Sequence, residues 1–299
     1  MLDALRRFIA RLAGKSGDRA TTAPLSEKQI ESIVEQQETR HEIQQLVAAT
    51  GQSVGKQREH NEDSVLAITA TLAGMHNNVP FGLYIVADGM GGHQYGEVAS
   101  NAAVRIMAGL VLRKFHSYLF AVPTQQPDDS LQEIMGEAIR DAHRTVQKDA
   151  PGSGTTVTAA LVLGQQVTIG HVGDSRAYSV HPSGRIEQLT QDHSLVRRLE
   201  ELGHLNKEEA ATYPHRNVLI RAVGQGEAID ADVFTIPFPH GSTLMLCTDG
   251  LWGVVPDEAI YRSLVEAPNL QRACNNLVTA ANIAGGPDNI SVVLVQMIG

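Results

Sequence analysis

Three aspartates stand at the ends of short apolar runs, each followed by Gly or Asn. Asp88 closes GLYIVADG, Asp249 closes STLMLCTDG, and Asp288 opens PDNISVVLVQM. An apolar run of this length is the signature of a buried strand, and a carboxylate just off its tip is held rigidly near solvent. Three of them at one sheet edge make a cluster of hard oxygen donors that cannot stay ionised without a cation. These residue types point to a Mg²⁺ or Mn²⁺ site and to metal-assisted chemistry on phosphate. Taken singly, an Asp-Gly pair is more often a hairpin turn than a ligand, so the weight falls on several segments together.

Five further segments accompany the aspartates in fixed order: REHNED at 58–63, SGTT at 153–156, HVGDSRAY at 171–178, LTQDHS at 189–194 and RNVLIRAVGQ at 216–225. With them the chain resembles the metal-dependent serine/threonine protein phosphatases, protein phosphatase type 2C, of the bacterial kind. The resemblance runs from about Gly51 to the C-terminus and rests on the ordered set RxxNED, ADGMGGH, SGTT, GDSRAY, TDGLW and DNIS. It implies an α+β fold: a four-layer α/β/β/α sandwich of two mainly antiparallel sheets, with a dinuclear metal centre in a cleft at one sheet edge. Asp88 would bridge two ions, the Gly89 carbonyl would bind the second, and Asp249 and Asp288 would hold the first. Glu62 and Asp63 match positions that reach the metals through ordered water. Arg58 matches the phosphate-binding arginine, Asp174 a ligand of a third, weaker site shared with Asp249, and Asn289 a support for its neighbouring aspartate.

The residue chemistry agrees with these implied roles. Carboxylates, a carbonyl and water suit Mg²⁺ or Mn²⁺ rather than zinc, which favours His and Cys. Two ions lower the pKa of a bridging water and neutralise phosphoryl oxygens, so water can attack phosphorus directly and no Ser or Cys nucleophile is required. A guanidinium grips two phosphate oxygens at once, which Lys cannot do. Alone, Arg58 reads as a surface arginine, Asp174 as a turn cap, SGTT as a turn whose hydroxyls satisfy backbone groups, and His171 and His193 as hydrogen-bonded scaffold. Animal relatives carry a His after the Asp-Gly pair, proposed as the general acid; here Met90 stands there, and His93, His60 or a metal-bound water are the alternatives.

The elements that must position these groups follow from periodicity. Strands are expected at 64–69, 82–87, 155–163, 167–172, 176–180, 242–248 and 290–297, and helices near 96–115, 129–149, 256–267 and 269–284. Short turns after 163 and 180 favour antiparallel pairing. Residues 192–226 read as a polar, helical flap beside the sheet. The domain reading is an N-terminal segment, 1–50, followed by a catalytic domain, 51–299. In the first segment, 1–15 has the apolar stripe Leu2, Leu5, Phe8, Ile9 and Leu12 with four basic residues mostly off it. Such a helix can touch an anionic membrane surface or dock to a partner, though packing or fraying is the commoner outcome. Residues 16–25 read as a linker and 27–49 as a second helical stretch.

With 299 residues, 42% hydrophobic and 19% charged, the composition is globular. The net charge of −9 argues against nucleic-acid binding and a nuclease activity, because no basic face is available. It does not oppose a phosphorylated protein partner, such as a kinase or kinase target, since bound ions invert the local field. Two cysteines without a Cys-x-x-Cys motif suit a reducing, cytoplasmic setting. Neither a secretory signal nor a membrane span is expected: the uncharged stretch 150–173 is broken by four glycines and reads as two strands. A monomer is expected. The alternative function is a catalytically weak, phosphatase-like regulatory module that binds a phosphoprotein or partner.

Overall fold

The computed structural model describes residues 44–73, 78–91, 95–121, 127–211, 213–215, 217–239 and 241–299. The readings made for 1–15, for 16–25 and for most of 27–49 lie outside these residues. A compact unit runs from Ile43 to Gly299. Its first strand, β1 (Gln45–Ser53), begins within the stretch expected to be helical and crosses the expected boundary after residue 50. The periodicity of QLVAATGQS is weak, and nine residues of pairing with the last strand override local preference.

The remaining strands are β2 (Asp63–Ala73), β3 (Asn78–Met90), β4 (Gly154–Thr155), β5 (Val157–Leu163), β6 (Gln166–Val172), β7 (Arg176–Val180), β8 (Ile186–Gln188), β9 (Asp232–Pro237), β10 (Thr243–Cys247) and β11 (Ile290–Ile298). One sheet has the order β1-β11-β10-β7-β8. The other runs β2-β3-β5-β6-β9, with β4 paired to the end of β3. All pairings are antiparallel. Gly164 turns β5 into β6 as the spacing predicts. β8 and β9 lie outside the expected strands.

Both faces of the central strands are covered, which is why they read as unbroken apolar runs. Along β3, Tyr84 and Val86 point between the sheets, packing with Leu244, Leu246, Val293 and Val295. Leu83, Ile85 and Ala87 point outward against helices α1 (Tyr95–Phe120) and α2 (Leu131–Asp149). On the opposite side Met245, Val292 and Leu294 meet α6 (Asp257–Val265) and α7 (Leu270–Ile283). This is the expected four-layer α/β/β/α sandwich. Full burial of each large aliphatic side chain contributes about 1.5–3 kcal/mol, so the strands whose ends carry the aspartates are the most firmly held parts of the molecule.

Between β8 and β9 lie the short helices α3 (Leu195–Glu201) and α4 (Lys207–Ala211) of the expected flap. Helix α5 (Asp249–Trp252) is a single turn directly after β10. Among the described residues no helix is long and apolar enough to cross a membrane, and 150–173 forms β4, β5 and β6.

Candidate metal centre

The aspartates converge because four strand ends meet at one edge of the sandwich. Asp63 opens β2 and is directly opposite Asp88 in the β2–β3 ladder. Neither Asp-Gly pair makes a hairpin turn: β3 continues through Gly89 to Met90, and Asp249 starts α5. Gly89 is required there, since a Cβ would collide with the Gly96 carbonyl at the start of α1. The Asp88 backbone is fixed by the SGTT hydroxyls. Its N–H donates to Thr156 Oγ1 at 2.9 Å, and its carbonyl accepts from Thr155 Oγ1 at 2.9 Å.

Asp288 precedes β11. Its Oδ1 accepts from the Asn289 N–H at 2.8 Å, and its Oδ2 accepts from Arg58 Nη2 at 2.6 Å. The Asn289 side chain does something else: it holds the loop that carries Arg58 and Glu62. Its Nδ2 donates to the carbonyls of Val54 and His60, at 2.9 and 2.8 Å, and its Oδ1 accepts from the Glu62 N–H at 2.8 Å. The Glu62 carbonyl in turn accepts from the Gly89 N–H at 3.2 Å. The RxxNED segment is thereby pinned to both β3 and β11.

Burial and mutual repulsion make these carboxyls reluctant to ionise. Asp63 is pushed up to about 7, chiefly by burial, against the pull of its hydroxyl partners. Asp249 is raised to about 6, by burial and then by Asp288. Asp174 is raised to about 8, by burial and then by Asp249. Asp88 lies well above the carboxylate range, through burial and then the fields of Asp63, Asp249, Asp174 and Asp288. Two of the three buried side-chain polar atoms without a hydrogen-bond partner, among the described residues, are Asp63 Oδ1 and Asp249 Oδ1. Orphaned carboxylate oxygens are rare in native proteins, and here both lie in one cluster of acids.

Hard oxygen donors, a field of uncompensated acids and two orphaned oxygens fit divalent cations. Among the described residues no three Asp, Glu, His or Cys side chains close around one point as a ready-made cage.

Asp174 sits in the turn between β6 and β7. Gly173 before it has φ +110°, and a Cβ there would strike Thr156. The Asp174 carbonyl accepts from Trp252 Nε1 at 3.0 Å, and the Arg176 guanidinium stacks 3.4 Å from the Trp252 ring centroid. Asp192 grips Arg176 at two atoms, 2.9 Å from Nε and 2.7 Å from Nη2. A cleft of about 910 Å³ opens over these groups, with Arg58, Asp174, Asp249 and Asp288 on one side and Arg197 and Asn217 of the flap on the other.

Of the residues expected at the site, Arg58, Asp63, Asp88, Gly89, Asp174, Asp249 and Asp288 gather here, with Glu62 joined through its backbone. His60 is exposed and contributes its carbonyl to Asn289. His93 lies outside the described residues. His171 and His193 are buried, with hydrogen-bonded rings, as scaffold. Thr248 was missed: its Oγ1 donates to Asp63 Oδ2 at 2.9 Å and accepts from the Ser291 N–H at 3.0 Å, tying β10, β2 and β11 together. Its only sequence signal was its place before Asp249. Trp252 and Asp192 were quoted within motifs but given no role.

Comparison with known proteins agrees with this geometry. The profile of the family described as "Protein phosphatase 2C" matches residues 50–282. The serine/threonine phosphatase stp of Listeria monocytogenes is 36% identical over 244 residues, covering 81% of this chain and 92% of that protein. Among solved structures, the S. agalactiae serine/threonine phosphatase superposes with a TM-score of 0.71 at 30% identity, covering 84% of this chain and 99% of that one. The catalytic domain of the serine/threonine protein phosphatase PstP, in complex with two manganese ions, gives 0.67 at 30% identity over 86% of this chain and 100% of that one. With its sandwich, its cluster of strand-end aspartates and a match spanning most of its length, the chain belongs to the protein phosphatase 2C family.

Proposed function

We propose that this protein removes phosphate from phosphoserine and phosphothreonine side chains of proteins, using Mn²⁺ or Mg²⁺. The observation that carries the reading is the group of mutually repelling aspartates at one sheet edge, two of them with a buried oxygen left without a donor. Asp88, the Gly89 carbonyl, Asp249 and Asp288 would hold two ions, with Glu62 and Asp63 acting through water. Asp174, beside Asp249, would hold a third. When bound, such ions acidify water near neutral pH and neutralise phosphoryl oxygens.

The chain's own groups do the rest. Arg58, half exposed at the cleft mouth, donates two N–H groups to the phosphoryl oxygens and sets the phosphorus in line. Thr248 holds a carboxylate oxygen of Asp63, and Thr155 and Thr156 fix the backbone of Asp88, so little reorganisation is needed during reaction. The flap and Trp252 line the cleft of about 910 Å³ in which a phosphorylated side chain of a protein would bind. A kinase or kinase target is the expected partner. Two free, buried cysteines suit a reducing, cytoplasmic setting.

A binding module without turnover would be expected to have lost part of the ligand set, and Arg58, Asp88, Asp249 and Asp288 are all in place. The test is hydrolysis of p-nitrophenyl phosphate and of phosphoserine and phosphothreonine peptides, with Mn²⁺ or with EDTA. Turnover that depends on Mn²⁺ supports the reading. A folded protein inert toward both substrates in saturating Mn²⁺ favours the module.

A further inference from the structure

One contact between the flap and the rest of the molecule is a buried histidine. His193, 5% exposed, clamps Gly173 from two sides. Its backbone N–H donates to the Gly173 carbonyl at 2.7 Å, and its ring Nδ1 accepts from the Gly173 N–H at 3.2 Å. With Nδ1 accepting, the ring proton is assigned to Nε2, which is 3.2 Å from Asp232 Oδ2 at the start of β9 and 3.2 Å from Arg221 Nη1, so it donates to the carboxylate while the guanidinium packs beside it. Arg221 Nη1 is 3.2 Å from Asp232 Oδ1, and its Nη2 is 3.1 Å from Asp230 Oδ2. The carboxylate of Asp232 is thus shared between the imidazole and the guanidinium.

Both feet of the flap pass through this group. The incoming foot is His193–Ser194, with Ser194 capping α3 through the Arg197 N–H at 3.3 Å. The outgoing foot is Leu219–Arg221, where the Ile220 N–H donates to the His193 carbonyl at 2.9 Å. Two residues on, Val223 bridges to Thr155, whose hydroxyl holds the Asp88 carbonyl. On the other side of His193 is Gly173, whose positive φ aims Asp174 at the cleft.

We propose that His193, held by Asp232 and Arg221, is a positioning residue that locks the flap to the Gly173–Asp174 turn, so that flap position sets the metal affinity of Asp174. The inference rests on the assignment of Asp174 as a metal ligand. Outer partners of ligand residues commonly change metal affinity or activity by about 10–100-fold, and His193 acts one peptide bond away from Asp174. Gln can reproduce the pattern, accepting from Gly173 and donating to Asp232, whereas Ala cannot.

The test uses the full chain as wild type, His193→Ala, His193→Gln and Arg221→Met. Mn²⁺ binding is measured by calorimetry, Mn²⁺ activation with p-nitrophenyl phosphate, and amide exchange in EDTA. His193→Ala is expected to weaken the weakest Mn²⁺ site about tenfold, to leave the tighter sites unchanged, and to speed exchange at Gly173 and Ile220 together. His193→Gln should restore all three readouts, and Arg221→Met should fall between.

An unchanged weak site in His193→Ala overturns the proposal, as does a Gln variant as impaired as Ala. If His193→Ala does not fold, Arg221→Met decides: a weak site and exchange both like wild type sink the latch. Should wild type bind no Mn²⁺, the metal reading fails separately. The exchange arm still judges the latch, and faster exchange at only one of Gly173 and Ile220 refutes it.

Discussion

Arg58 and Asp288 are 230 positions apart in the chain, yet Arg58 Nη2 donates to Asp288 Oδ2 at 2.6 Å. The residue expected to grip phosphate rests on a carboxylate expected to hold metal. Their side chains are 52% and 29% exposed, and a pair this open contributes about 1 kcal/mol or less. The guanidinium is therefore held over the cleft without being trapped there.

Under the proposed function Arg58 would be a substrate-binding group rather than a structural one. Arg58→Ala is expected to lower kcat/KM toward phosphopeptides roughly 100-fold, the scale for losing one preorganised donor, with the melting temperature unchanged. Arg58→Lys should recover little, because an ammonium cannot fork across two oxygens. Full activity in the Lys variant would contradict a bidentate grip.

Asp249 is raised to about 6 by burial and by Asp288, so its ionised form costs stability in the metal-free protein. Asp249→Asn removes one of the repelling charges and one proposed metal donor. Activity in Mn²⁺ should fall at least about 100-fold, while the melting temperature in EDTA at pH 8 should rise. A mutant that loses activity only because it melts earlier would speak against the ligand role.

Asp249, Asp63 and Asp174 are raised to about 6, 7 and 8 from ordinary values near 4. Between about pH 4 and 8 the native state therefore holds protons that the unfolded chain has lost. Burial lowers His171, His193 and His143, which act in the opposite direction below about pH 6.5, so stability in EDTA should fall as pH rises from about 6.5 to 8. Mn²⁺ competes with those protons, so its stabilising effect should grow from pH 5 to pH 8. Melting curves in EDTA and in Mn²⁺ across that range check both signs; metal-free stability that climbs between about pH 6.5 and 8 would refute the first.

Thr248 is fully buried and serves Asp63 and Ser291 with one hydroxyl. Thr248→Val keeps the shape and leaves both partners unsatisfied, at about 1–3 kcal/mol. Urea unfolding in EDTA measures this, and a neutral result would mean that the Asp63 carboxyl finds another donor.

The described unit begins at β1, well after residue 15. Removing residues 1–15 should leave p-nitrophenyl phosphate turnover unchanged. A loss of turnover would assign that segment to the catalytic unit.

Much of the molecule could be read from local chemistry. Runs such as LYIVA before Asp88 and LMLC before Asp249 are apolar on both faces, which only a strand between two layers tolerates. The carboxylate at each tip was therefore legible as a rigid donor. The spacing around SGTT already implied hydroxyls serving backbone groups, as Thr155 and Thr156 do for Asp88. The start of the folded unit was not legible. Residues 45–50 have no strong period, and they become strand because β11 offers nine partners.

On its own, the order of residues determined which groups are hard oxygen donors, which segments must be buried, and that the chemistry requires a cation. Folding alone decided that Asp63 faces Asp88, that Asn289 holds the Arg58 loop, and that His193 joins the flap to Asp174. Those relations depend on pairing between segments far apart in the chain. Their geometry is set by sheet register and layer packing, which no local pattern encodes.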